Sequence, residues 1–141
     1  PSNRIGCRIG PSSEFNDIRD SDPQTLFNYV AEQLGQKNLG YIHVIEGQTG
    51  GERNNEVFDY NNIYQTFKMH GGVASMANNG YDKHLAETTT VDLIAFGVPF
   101  IANPDLVYRL EHDLPLADAD KATFYGGGEK GYSDYPFHSK D

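Results

Sequence analysis

Two glycine-bearing turns are the first candidates for chemistry in this sequence. Residues 78–81 (Asn-Asn-Gly-Tyr) carry Gly80 and lead into a predicted helix, and residues 96–99 (Phe-Gly-Val-Pro) carry Gly97 and follow a predicted strand. Glycine allows a close approach of the backbone to a ligand, and backbone N–H groups at a helix N-terminus bind phosphate. Alone, each turn is a weak signal, and the residues favour a tight turn that binds no ligand.

Arg8 is a second candidate, because it lies on a predicted strand among glycines and isoleucines. A charge at this position pairs with a carboxylate, lies at a solvated strand end or meets an anionic ligand, and the residues leave these options open. Cys7 alternates onto the other face of this strand, which favours a small core residue over a nucleophile.

His43 and Glu46 are three residues apart on a second predicted strand, so alternation places them on opposite faces. This argues against a shared metal site, and the spacing of the five histidines matches no zinc motif. We therefore predict no metal. Residues 124–128 (Phe-Tyr-Gly-Gly-Gly), with Tyr132 and Tyr135, would either wall a planar cofactor or form a tail that packs on the surface.

The composition limits the class of protein. The chain has 141 residues, enough for one compact domain, and a net charge of −9, which argues against binding nucleic acid through a basic face. No apolar run reaches the roughly 20 residues of a membrane helix, and no secretion signal is visible. The single cysteine excludes an internal disulfide, and we expect a cytoplasmic protein.

The elements that must position these residues alternate between strand and helix. Apolar patterns and capping residues predict strands over residues 5–9, 39–46, 73–77 and 92–96. Helices are predicted from the cap Ser21 or Asp22 to Gly35, over residues 61–69, after the cap Asp82, and from Pro104. Residues 47–55 form a predicted glycine-rich, mobile loop, and the tail from Lys121 is predicted to be irregular.

Alternating strands and helices predict a parallel sheet with right-handed crossovers. The fold class is therefore α/β, with about four β/α units. A complete (β/α)8 barrel takes about 250 residues, so the 141 residues make a single half-barrel unit over residues 1–141. In such barrels, chemistry is carried by residues at the C-terminal ends of the strands.

Several segments together resemble the Old Yellow Enzyme family. Residues 6–11 resemble its G-x-R-x-S-P strand, with Gly10 in place of the serine, and residues 79–82 resemble its G-G-Y-D turn. Residues 96–106 follow its F-G-R-x-F-I-A-N-P-D-L block almost residue for residue. Residues 124–128 and 131–136 resemble its C-terminal signature, so the resemblance covers essentially the whole chain.

The resemblance implies an FMN-dependent enzyme on a (β/α)8 barrel. Such enzymes take reducing equivalents from NADH or NADPH and reduce the activated C=C bond of α,β-unsaturated carbonyl compounds. It implies that Arg8 lies at the N1/O2 edge of the flavin and stabilises the anionic reduced form. It also implies backbone N–H groups of Gly80 and Gly97 at the FMN phosphate, with Asn79 shaping the turn. Phe124 and Tyr125 would lie near the isoalloxazine ring.

Besides Gly10, two further departures from the family pattern matter. Val98 stands where the family has the arginine that grips the FMN phosphate. The lost contact would cost about 1.5–3 kcal/mol, or roughly ten- to over a hundredfold in affinity. Gly47-Gln48 replaces the Pro-Arg that usually follows Glu46.

The resemblance assigns the four strands to strands five to eight of the barrel and places no catalytic residue among them. The carbonyl-binding pair and the proton-donating tyrosine belong to the first half. One hypothesis is an ene-reductase that functions when a first half, in another chain or in the rest of a longer one, completes the barrel. The alternative is a truncated, inactive half-barrel that self-associates through its open edges and binds FMN weakly or not at all.

Overall fold

The computed structural model describes residues 1–53 and 58–139. The described residues contain four strands: β1 (Gly6–Ile9), β2 (Tyr41–Ile45), β3 (Ala74–Asn78) and β4 (Leu93–Ala95). The helices are α1 (Pro23–Gln36), α2 (Tyr60–Met69), α3 (Lys83–Thr88), α4 (Val98–Ala102) and α5 (Leu106–Glu111). Short 3-10 turns cover Ser2–Arg4, Phe15–Asp17 and Lys121–Thr123.

The strands form one parallel sheet in the order β1-β2-β3-β4. This confirms the predicted α/β class and the parallel pairing. In the register, Arg8 lies opposite His43, and His43 lies opposite Met76. Because residues in register point to the same side of a sheet, these three side chains share one face.

The opposite face of the sheet carries the core. Ile42 and Val44 of β2 are completely buried, as are Ile63 and Phe67 of α2, the helix that packs on β2 and β3. Cys7 is in register with Ile42, so it lies on this helix-covered face and is half-buried. Its interpretation as a small residue of the packed face agrees with this position.

Helix α1 begins as predicted, with Pro23 in its first turn and the Asp22 side chain accepting from the Thr25 N–H at 3.2 Å. The predicted end at Gly35 is wrong, because the helix continues to Gln36. Gly35 is instead buried against α2, where an added Cβ would lie 2.5 Å from the Phe67 carbonyl oxygen. The glycine is required by helix packing rather than by a helix end.

The chain divides into two compact units, Pro1–Ala95 and Phe96–Asp141, and each is described by itself. The expectation of a single half-barrel unit stays a prediction. Helix α3 begins at the predicted cap, since Asp82 accepts from the Leu85 N–H at 2.7 Å. Helix α4 was not predicted, because its five residues, Val-Pro-Phe-Ile-Ala, are too few to show a helical period.

The loop after β2 is fixed by polar contacts over its described part. Gln48 accepts from the Glu14 N–H at 3.0 Å and donates to the Ser12 carbonyl at 2.9 Å. The Thr49 N–H donates to the Ser13 hydroxyl at 3.1 Å. Residues 47–53 form neither helix nor strand, as predicted, but these polar contacts argue against the predicted mobility. Residues 54 and 55 lie outside the described part of the chain.

The second unit is held together by buried polar side chains. Arg109 is 7% exposed, and its guanidinium binds Asp105 at 2.6 Å, the Pro115 carbonyl at 2.8 Å and the Pro136 carbonyl at 3.2 Å. Asp105 also accepts from the His138 N–H at 2.7 Å. This arrangement fastens the tail to α5. Among the residues that the structure describes, no helix is long and apolar enough to cross a membrane.

Candidate functional site

Arg8 is an exposed cation near the C-terminal end of β1. Within residues 1–53 and 58–139, no carboxylate forms an ion pair with it, so the ion-pair alternative for Arg8 is wrong. Its exposure agrees with a solvated strand end and leaves the cation open to an anionic ligand. The Nε2 atom of His43, on the neighbouring strand, is buried without a hydrogen-bond partner. Burial, followed by the charge of Arg8, lowers the pKa of His43 and favours its neutral form. This face therefore presents one cation and one unpartnered ring nitrogen.

The turn after β3 places Asn79 and Gly80 in left-handed backbone conformations, with φ values of 94° and 65°. The Asn79 side chain donates to the carbonyls of Glu46 at 2.7 Å and Gln48 at 3.1 Å. Asn79 thus shapes the turn through its own side chain. The Gly80 N–H donates to no atom of the described residues and remains available to a ligand.

Glu46 lies beside this turn and is 3% exposed. Its carboxylate accepts from the Tyr64 hydroxyl at 2.8 Å and from the Tyr81 hydroxyl at 3.0 Å, and it forms an ion pair with Arg53. Burial, together with the charge of Glu46, raises the pKa of Tyr81 to about 12 and that of Tyr64 further, so both hydroxyls remain donors.

This Glu46 cluster (Glu46, Arg53, Tyr64 and Tyr81) is not among the sites predicted from the sequence. A carboxylate at the end of an apolar strand was the available signal, since a buried charge requires a partner. The identity of the partners depends on the fold. The cluster borders a cavity of about 500 Å³ lined by side chains of α2 and of the segment before β4.

Gly97 precedes α4 and has an ordinary φ of −106°. An added Cβ at this position would meet no atom within 4 Å, and the Gly97 N–H has no hydrogen-bond partner in the described part of the chain. Nothing described in the chain therefore requires a glycine here. Val98 is 49% exposed and brings no charge to this turn.

Phe124 and Tyr125 form an edge-to-face pair with ring centroids 6.2 Å apart. The Tyr125 side chain is fully exposed, and both rings border a cavity of about 300 Å³ that also contacts residues 126–128 and Tyr132. The described tail is otherwise irregular, as predicted. Tyr125 and Tyr132 are exposed, whereas Phe124 is half-buried.

Arg8, Asn79 and Gly80 lie at the same end of one sheet, since the C-terminal ends of parallel strands lie on the same side. The remaining predicted residues, Gly97, Val98, Phe124 and Tyr125, belong to the second unit. His43 and Glu46 point in different directions, because His43 lies next to Arg8 whereas Glu46 binds Tyr64 and Tyr81. No group of three or more His, Cys, Asp or Glu side chains with metal-binding geometry occurs among the described residues.

Comparison with known proteins gives a consistent result. The model of the NADH:flavin oxidoreductase / NADH oxidase family matches residues 1–117. A probable flavin mononucleotide-dependent alkene reductase of Leishmania infantum is 34% identical over 148 residues, covering 95% of this chain and 36% of the relative. The chain spans between 36% and 40% of the length of the curated relatives that it matches.

Solved structures agree with the sequence relatives. The old yellow enzyme from Trypanosoma cruzi is similar with a TM-score of 0.80 and 31% identity, over 98% of this chain and 36% of that one. Morphinone reductase in complex with tetrahydroNAD gives a TM-score of 0.79 and 31% identity, over 96% of this chain and 36% of that one. The four-stranded sheet and its helices therefore correspond to part of a (β/α)8 barrel.

Proposed function

The chain belongs to the NADH:flavin oxidoreductase / NADH oxidase family of FMN-dependent enzymes, and from this premise we propose that it is the flavin-binding C-terminal half of an ene-reductase. The reaction would be the reduction of the activated C=C bond of an α,β-unsaturated carbonyl compound by NADH or NADPH. The name of the L. infantum relative, an alkene reductase, supports this substrate class. The tetrahydroNAD bound by morphinone reductase supports a nicotinamide reductant.

The observation that carries the proposal is the environment of Gly97. Its N–H is unpaired within the described residues, and the space that a Cβ would fill is open. A phosphate that approaches the backbone closely would account for both features. Gly80 offers a second unpaired N–H on a turn that Asn79 holds in place. With Val98 in place of an arginine, backbone groups carry a larger share of the phosphate binding.

The residues of the first unit fit the flavin ring system. Bound FMN would supply hydride transfer from the nicotinamide to the β-carbon of the enone. Arg8 would stabilise negative charge at the N1/O2 edge of the ring, where its charge has no carboxylate partner among the described residues. The neutral His43 beside it leaves that positive charge for the cofactor and adds no second cation.

Phe124 and Tyr125 would form an aromatic wall close to the isoalloxazine ring. The exposure of Tyr125 supports this role, since a fully exposed tyrosine beside glycines gains nothing from the core of its own unit. The glycines at 126–128 leave open space around the rings, because an added Cβ on any of them would meet no atom within 4 Å.

The proposal requires a completing first half, in the same polypeptide or in another. In the described residues, β1 and β4 each pair on one side only, and unpaired parallel edges favour association with further strands. The carbonyl-binding pair and the proton donor would come from that half. We also propose a cytoplasmic setting, which the dependence on NADH or NADPH and the single cysteine support.

Co-expression with a first half taken from a relative tests the proposal. We expect a yellow complex with FMN near one equivalent. Under anaerobic conditions it should oxidise about one equivalent of NADH or NADPH without an enone and should turn over continuously only when an enone is added. The chain expressed without a first half is the control. A complex without flavin, together with a chain that self-associates and oxidises no nicotinamide, would contradict the proposal and favour the inactive half-barrel.

A further inference from the structure

Glu46 contacts the end of β3 and the turn after it at three residues, Asn78, Asn79 and Tyr81. Its N–H donates to the Asn78 carbonyl at 3.0 Å, and its own carbonyl accepts from the Asn79 side chain at 2.7 Å. Its carboxylate accepts from the Tyr81 hydroxyl at 3.0 Å. The residue between the two side-chain contacts is Gly80, whose N–H has no partner in the described part of the chain.

Arg53 holds the carboxylate of Glu46 in this position. Its Nε donates to Oε2 at 2.7 Å, and its guanidinium both donates to the Tyr81 hydroxyl at 3.0 Å and lies 4.4 Å from the centre of the Tyr81 ring. The stem of Arg53 also lies against the turn, since an added Cβ on Gly80 would be 3.2 Å from the Arg53 Cβ. A buried carboxylate with this many donors has one stable orientation.

The pairing accompanies a local departure from the family pattern. Where the family pattern has an arginine two residues after this glutamate, the chain has Gln48. Arg53 supplies the cation from seven residues away, across a loop that Gln48 helps to fix.

We propose that Glu46 is a positioning residue for the flavin phosphate, which acts by holding Asn79 and Tyr81 so that the Gly80 N–H between them faces the ligand. The inference rests on the proposed function. It adds a role for a residue that lies on the helix-covered side of the sheet and does not itself touch the phosphate. The net charge of the Glu46–Arg53 pair is zero, so its contribution is geometric.

The test compares two ligands that differ only in the phosphate. FMN and riboflavin are titrated into the complex of this chain with a first half taken from a relative. Binding is followed by quenching of flavin fluorescence. The variants are Tyr81→Phe, which removes the hydroxyl contact to the turn, and Glu46→Gln, which removes the charge. We expect FMN affinity to fall about five- to tenfold in each, the effect of one lost hydrogen bond, with riboflavin affinity unchanged.

Tyr64→Phe is the matched control. It removes the other hydroxyl on the same carboxylate, which lies on α2 and not on the turn. We expect lower stability with an unchanged ratio of FMN to riboflavin affinity. Should Glu46→Gln fail to fold, Tyr81→Phe decides the question, because it leaves the Glu46–Arg53 pair intact.

Two outcomes would overturn the inference in distinguishable ways. If the unmodified protein binds FMN no more tightly than riboflavin, the proposed phosphate site fails and the role of Glu46 fails with it. If the unmodified protein prefers FMN and this preference survives in Tyr81→Phe and Glu46→Gln, the proposed function stands and only the positioning role is wrong.

Discussion

Asn103 and Ala117 form a reciprocal pair of hydrogen bonds. The Ala117 N–H donates to the Asn103 Oδ1 at 2.8 Å, and the Asn103 Nδ2 donates to the Ala117 carbonyl at 3.0 Å. Asn103 is completely buried and also donates to the Pro99 carbonyl at 2.9 Å. This asparagine, part of the family-like block at residues 96–106, is therefore a structural clamp.

Replacement of Asn103 by alanine tests the clamp. The variant leaves the Ala117 N–H and two carbonyls without their partner, so we expect the free energy of unfolding to fall by about 2–4 kcal/mol. Urea unfolding measures the loss. Asn61→Ala, at an exposed position of α2, should change stability by less than about 0.5 kcal/mol. Equal effects of the two substitutions would contradict the clamp.

The ionisation of Asp92 makes the stability of the fold depend on pH in the acid range. Its carboxylate accepts from the Ser75 N–H and hydroxyl, both at 2.7 Å, and pairs with Lys68 at 2.9 Å. Hydrogen bonds from Ser75, and then Lys68, lower its pKa from 3.8 to about 2. A lowered pKa means that the folded state prefers the charged form, so Asp92 stabilises the fold above pH 3.8 and this contribution is lost as the pH falls through about 2.

The comparison with Asp92→Asn isolates this contribution. We expect the stability difference between the two proteins to be constant above pH 5 and to shrink steadily as the pH falls from about 4 to 2, because the unfolded carboxyl becomes protonated first. Unfolding curves across this range give the measurement. Ser75→Ala removes the hydroxyl donor and keeps the backbone N–H donor. The stability of this variant should therefore fall less than that of the unmodified protein between about pH 4 and 2. A difference that stays constant down to pH 2 would refute the assignment.

Arg8 and His43 are coupled by charge across two strands. Since the Arg8 cation contributes to the lowered pKa of His43, Arg8→Met should raise that pKa while burial keeps it below its ordinary value. NMR titration of the His43 ring resonances provides the value. Arg4→Met, at an exposed position outside the sheet, should leave the titration unchanged. An unaltered midpoint in Arg8→Met would show that the two side chains do not interact.

The order of elements could be predicted because it depends on local signals. Asp22 and Asp82 cap their helices through side chains that bond three residues ahead, which is visible in the sequence. Gly35 was misinterpreted because its neighbour is Phe67, on another helix. A glycine after an apolar helical stretch has the same sequence appearance whether it ends the helix or meets a second one.

The site residues also separate into those that a local pattern predicts and those that depend on the folded arrangement. The exposure of Arg8 depends on what covers its face of the sheet, which no local pattern contains. The partners of Glu46 lie seven, 18 and 35 residues away along the chain, so only the folded arrangement reveals them. The turns at Gly80 and Gly97 could be found because glycine is unusual enough locally to mark a special backbone position.

Val98→Arg should strengthen phosphate binding. The Val98 side chain is 49% exposed, so an arginine can be accommodated without loss of core packing. We expect FMN to bind roughly ten- to a hundredfold more tightly and with greater sensitivity to salt, while riboflavin affinity stays constant. Val107→Arg, on the exposed side of α5, is the matched control and should have no effect. An equal gain in FMN affinity for both variants would indicate that any added positive charge attracts FMN, without a specific contact at residue 98.

The affinity of Gly97→Ala for FMN and for riboflavin shows whether the turn at Gly97 binds the FMN phosphate. The added methyl group meets no described atom of the chain and the backbone is unstrained, so the free energy of unfolding should change by less than about 1 kcal/mol. If this space is reserved for the FMN phosphate, FMN affinity falls tenfold or more and riboflavin affinity is unchanged. Unchanged FMN affinity in a stably folded variant would show that the FMN phosphate does not occupy this space.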